Sequence, residues 1–115
     1  MKFVRSFDVN SFEEYGFGCI IGNFLADAIG AKDEFASNVL KEHQLVETMK
    51  MPGGGQHKVA PGQGTDDSEL ATSLMLGLID QNIKNYMADQ KCEIKLNMDK
   101  VCARYKDWYN SEPFD

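Results

Sequence analysis

Residues 51–64 read Met-Pro-Gly-Gly-Gly-Gln-His-Lys-Val-Ala-Pro-Gly-Gln-Gly, and at Thr65-Asp66-Asp67-Ser68-Glu69-Leu70 this run of breakers gives way to apolar residues at helical spacing. Two prolines and that density of glycine support neither helix nor strand, so the stretch is read as a loop. Beyond it, Leu70, Leu74, Leu78, Ile79, Ile83 and Met87 recur along one side of a helix from Asp66 to about Ala88. Before it, Ser11-x-x-Glu14 is a capping box that opens a long helix to about Phe35, carrying Phe12, Tyr15, Cys19, Phe24, Ala28 and Ile29. Gly18, Gly22 and Ala26 recur every fourth residue there and make a smooth stripe that another helix can approach closely. A shorter helix is expected over residues 36–49, with Val39, Leu40, Leu45, Val46 and Met49 as its apolar set. After a polar connection, extended at Cys92-Ile94-Leu96, either Asn97 or Asp99 caps a last helix bearing Val101, Cys102, Tyr105, Trp108 and Tyr109, which Pro113 ends. The expected fold class is all-α, with about four helices.

With 115 residues and 43% apolar content the chain suffices for one small domain with a single core. Twelve basic residues, scattered among 18 acidic ones, leave a formal charge of −6, which argues against a nucleic-acid surface or an anionic membrane as partner. Phosphates can still be held locally by backbone N–H groups. Cys19, Cys92 and Cys102 are odd in number and lack CxxC spacing, so neither a disulfide framework nor a zinc site is indicated. The N-terminal residues do not resemble a signal peptide, and no apolar run approaches the roughly 18 residues of a membrane span. A reduced, cytoplasmic location is the expectation.

Thr65, Asp66 and Asp67 place three hard oxygen donors in a row at a helix start. Adjacent carboxylates there stand about 100° apart around the axis, so they can face two neighbouring ions or bridge them, a set suited to Mg²⁺, Mn²⁺ or Ca²⁺. The same residues serve equally as an N-cap and as acids favoured by the helix dipole.

Asp27 lies in an apolar helical context, and Glu34 seven residues on falls within about 20° of the same face, with Gly30 and Ala31 keeping that face low. Two acids would then line one shallow groove suited to a sugar or a metal. Asp27 can also be read as an acid satisfied by a neighbouring helix N-terminus, and Glu34 as a solvated residue in a last turn. The glycine-rich loop reads either as a flexible connector or as a wall of backbone amides, and it is not a Walker A loop. His43 and His57 have no partner at ligand spacing and are read as surface residues.

Taken jointly, Gly22-x-x-x-x-Asp27-Ala28-x-Gly30-Ala31-x-x-Glu34-Phe35, then Gly64-Thr65-Asp66-Asp67-Ser68-Glu69-Leu70-Ala71, Arg104-Tyr105-x-x-Trp108 and Pro113-x-Asp115 resemble the opening of the ADP-ribosylglycohydrolase family. The resemblance runs from about residue 13 to the last residue. It implies the N-terminal part of an orthogonal helical bundle that binds two Mg²⁺ ions (Mn²⁺ as a substitute) and cleaves ADP-ribose from modified protein side chains. By that resemblance Thr65, Asp66 and Asp67 are metal ligands, Glu34 is the catalytic acid that activates water or binds substrate, and Asp27 is the acid of a Gly-Asp-Ala motif that binds substrate or supports the ligands. Here Ala26 replaces the leading glycine of that motif. Family members are typically more than twice as long and carry a second Asp-rich motif near the C-terminus, which this sequence lacks. Residues 1–115 are therefore expected to be a single partial domain, weak or inactive alone, that associates with itself or with a second chain completing the fold. The alternative is a non-catalytic helical interaction module of the same ancestry.

Overall fold

A computed structural model of the chain describes residues 11–88 and 95–112. They form four helices in the order α1 (Phe12–Gly30), α2 (Glu42–Thr48), α3 (Asp66–Ala88) and α4 (Met98–Asn110). No strand occurs among the described residues, only an isolated antiparallel bridge between Gly54 and Val59. The all-α expectation holds. Cys92, Ile94 and Pro113 lie outside the described residues.

Local capping sets the helix starts. The Ser11 hydroxyl accepts the Glu14 N–H at 3.1 Å and opens α1, and the Asn97 side chain accepts the Lys100 N–H at 3.3 Å, so Asn97 rather than Asp99 caps α4. α1 stops at Gly30, short of the expected Phe35. The Gly30 carbonyl takes the N–H groups of both Asp33 (2.9 Å) and Glu34 (3.0 Å), a tightened last turn, and Phe35 at φ 64° then reverses the chain. The second helix is also shorter than its apolar pattern suggested. Val39 is 96% exposed and only Leu40 is partly buried, so residues 36–41 present too little apolar face to favour helix there.

α3 packs on α4 through its small residues. A Cβ built on Gly77 would lie 3.1 Å from the Val101 Cα and 3.2 Å from its Cγ2, and Val101 is buried. Trp108 Nε1 donates to Glu69 Oε2 at 2.6 Å, and Arg104 Nε to Asp80 Oδ2 at 2.7 Å, which fixes the register of the pair. Leu74, Leu76 and Ile79 stay partly exposed. Gly77→Leu is expected to force the helices apart and cost about 1–3 kcal/mol by overpacking, read from urea denaturation; an unchanged midpoint would refute this close approach.

α1 meets α3 at Asp27, next to the buried Ala28. A Cβ on Gly18 or Gly22 would meet nothing within 4 Å, and Phe12, Tyr15, Phe17, Ile21 and Leu25 are exposed. Among the described residues, then, no helix lies against the glycine stripe. The glycine-rich loop is folded, not a loose connector. Gly54 and Val59 exchange backbone hydrogen bonds of 2.7 and 3.2 Å. Gly55, at φ +69°, passes so close to the turn after α1 that a Cβ would sit 2.5 Å from the Ala31 carbonyl oxygen.

Candidate functional site

Where α1 ends, it meets the start of α3, and the contact is carried by Asp27. Its Oδ2 accepts the backbone N–H groups of Thr65 (2.8 Å) and Ser68 (3.1 Å) together with the Ser68 hydroxyl, while Oδ1 accepts the Thr65 hydroxyl at 2.7 Å. The Asp27 carboxylate thus caps α3 from a different helix and satisfies amides that a helix N-terminus otherwise leaves without partners. Burial opposes ionisation of this group, but the hydrogen bonds from the Ser68 and Thr65 side chains and backbones outweigh it and hold the carboxyl below the usual aspartate range. Gly64 makes room for the arrangement: a Cβ there would stand 2.6 Å from Asp27 Oδ2 and press against Ser68 Oγ.

Thr65 is 2% exposed, and its hydroxyl proton is committed to Asp27, so only the oxygen lone pairs remain to be offered. Asp66 is half-buried and Asp67 exposed at the following positions. Asp67 lines an open cleft of about 510 Å³ together with Asp27, Asp33 and Glu34. The Thr48 hydroxyl, at the end of α2, donates to Asp33 Oδ2 and closes the far wall. Four carboxylates therefore border one space. No pattern in the sequence marks Asp33 or Thr48 for this space; Ser68 is marked only by its place three residues into the helix, where a capping acceptor finds an N–H.

Glu34 reaches the cleft by a different route from the one expected. The helix has ended before it, so the turn after Gly30, not helical periodicity, brings it beside Asp27. His57 is also placed differently. Instead of a surface position, its side chain is 20% exposed and its Nε2 lies 3.2 Å from Glu34 Oε2, because the glycine loop folds back on the turn. His43 is exposed on α2, as expected. Among the described residues no group of three or more His, Cys, Asp or Glu side chains converges closely enough to hold a metal ion. The oxygen donors at Thr65, Asp66 and Asp67 are of the right chemical kind for a hard divalent cation, and they amount to part of a coordination shell.

These features define an all-α protein with an acidic cleft at the capped start of its longest helix. Residues 9–115 match the sequence profile of the ADP-ribosylglycohydrolase family, and the chain belongs to that family of hydrolases. It is 29% identical over 101 residues to a protein of Acanthamoeba polyphaga mimivirus that carries the name ADP-ribosyl glycohydrolase, an alignment covering 84% of this chain and 27% of that one. It is likewise 29% identical over 105 residues to the ADP-ribosyl-[dinitrogen reductase] glycohydrolase of Rhodospirillum rubrum, covering 91% of this chain and 32% of the relative. The chain thus spans about a third or less of the curated relatives it matches. No solved structure gives a significant match.

Proposed function

We propose that the cleft, with Asp67 on its wall and Thr65 and Asp66 at the adjoining start of α3, is part of a magnesium-dependent site that hydrolyses the bond between ADP-ribose and a protein side chain. The observation that carries the reading is the gathering of Asp27, Glu34 and Asp67 in one cleft, with Thr65 fastened to Asp27 behind them. A diphosphate ligand would be repelled by four carboxylates unless a cation screened them, and that supports a divalent ion as part of the site. The ion would be held by Thr65, Asp66 and Asp67 and, when bound, would orient and polarise the ribose hydroxyls. Asp27 fixes the Thr65 hydroxyl so that its lone pairs point away from the carboxylate. Glu34 would accept a proton from the attacking water as its oxygen bonds to the anomeric carbon, while the bond from that carbon to the side chain breaks, the electron pair leaving with the side-chain atom, which takes up a proton from solvent. The proposed substrate is therefore an ADP-ribosylated protein, with Mn²⁺ able to replace Mg²⁺.

Titration with MgCl₂ or MnCl₂, followed by calorimetry or by amide NMR, tests the cation site. Weak binding, roughly millimolar, is expected because three residues supply few oxygens. The response is expected to vanish in Asp66→Asn/Asp67→Asn. A wild-type chain without any response, or a double variant that responds like wild type, would sink the reading.

A further inference from the structure

We propose that His57 is a positioning residue that fixes the Glu34 carboxylate in the cleft. The inference rests on the reading of Glu34 as the group that takes the proton from water.

Glu34 has little of its own to hold it. It lies in the turn beyond α1, its N–H bonded to the Gly30 carbonyl at 3.0 Å, with its side chain 39% exposed. The next residue, Phe35, adopts φ 64°, a region that bulky side chains rarely occupy, and is itself 67% exposed, so burial in a core does not secure it. What meets both residues is His57. Its buried Nε2 is 3.2 Å from Glu34 Oε2, within ion-pair reach but not aligned as a hydrogen bond, and its ring lies against Phe35 with centroids 5.7 Å apart and a tilt of 40°.

The backbone around His57 makes that contact firm. The Gly54–Val59 bridge closes a short loop of Gly55, Gln56, His57 and Lys58. Gly55 anchors the loop on Ala31 and Lys32, three and two residues before Glu34, at a distance no Cβ would permit. Loop and turn therefore move together, and the imidazole is the side chain that ties the loop to the carboxylate. Freed from it, Glu34 would sample other rotamers on an exposed turn, and a displacement of about 1 Å at a reacting group costs on the order of 10²-fold in rate. His57 itself touches no reacting atom, so its loss should fall on kcat and leave KM nearly unchanged.

Two measurements test this separately from the proposed function. In the labelled 115-residue chain, three-bond NMR couplings of Glu34 should report one χ1 rotamer in wild type and averaging in His57→Phe, which keeps the ring against Phe35 but removes the nitrogen. Averaging already in wild type, or a single rotamer retained in His57→Phe, overturns the positioning role. In a form of the protein that hydrolyses an ADP-ribosylated arginine peptide, His57→Phe should lower kcat by roughly 10- to 100-fold, and His57→Gln, which returns a polar nitrogen to that position, should recover most of it. In a Glu34→Gln background the same His57→Phe change should cost almost nothing, since the partner it acts through is gone. Equal losses in both backgrounds overturn the role. Should the couplings behave as expected while no ADP-ribosylated peptide is hydrolysed, the proposed function fails and the His57–Glu34 contact stands.

Discussion

Asp27→Ala is expected to lower the unfolding free energy by about 2–3 kcal/mol, because it removes the acceptor of four hydrogen bonds and leaves two buried amides at the start of α3 without partners. The carboxyl titrates below its ordinary value in the folded chain, so folding favours the ionised form. Its contribution is then fully present above the unfolded value of about pH 4 and is lost as pH falls through the lower folded value. Wild type should lose stability on acidification below about pH 4, and Asp27→Asn should flatten that part of the curve. Urea denaturation at neutral pH and at acid pH checks both. An Asp27→Ala chain within about 0.5 kcal/mol of wild type, the usual range for an inert surface change, would show that this junction contributes little.

The second large effect falls on catalysis under the proposed function. In a protein form that releases ADP-ribose from a modified arginine peptide, Asp67→Ala should reduce turnover by at least on the order of 10²-fold, since loss of a ligand removes several kcal/mol of charge stabilisation. Glu34→Gln should also cost on the order of 10²-fold or more, the usual contribution of a positioned general base. The two differ in their metal behaviour. Asp67→Ala should abolish the Mg²⁺ response, whereas Glu34→Gln should keep it. Loss of the response in Glu34→Gln would place that carboxylate on the ion and remove it as the base. Full turnover in Asp67→Ala would remove Asp67 from the site.

The features legible in the sequence are those decided by neighbours a few residues apart. Ser11 with Glu14, and Asn97 ahead of Lys100, mark helix starts because a capping hydrogen bond spans only three residues. The helical period after Thr65 and the breakers before it located α3 to within a residue. The end of α1 is less legible, since residues 31–35 contain no proline or glycine to break the helix while the backbone turns there. The short extent of α2 is hidden for a related reason. Val39 and Leu40 look like part of a helical face, yet Val39 finds no surface to pack on, and a marginal helix forms only where packing rewards it.

The sequence by itself determined the helical class, which follows from residue type and local spacing, and its joint motifs carried the resemblance to the family. Only the tertiary structure decided what the acids of the cleft do to one another. Asp27 and Ser68 stand 41 positions apart, and no periodicity connects them. Their pairing depends on the angle at which α1 meets α3 and on the space Gly64 leaves there. Likewise His57 read as a solvated histidine until the loop folded back through Gly55 and set its ring beside Phe35 and its nitrogen beside Glu34. Contacts of this kind form across long stretches of chain, where loop-closure entropy is offset by packing at the junction, and local pattern carries no record of them.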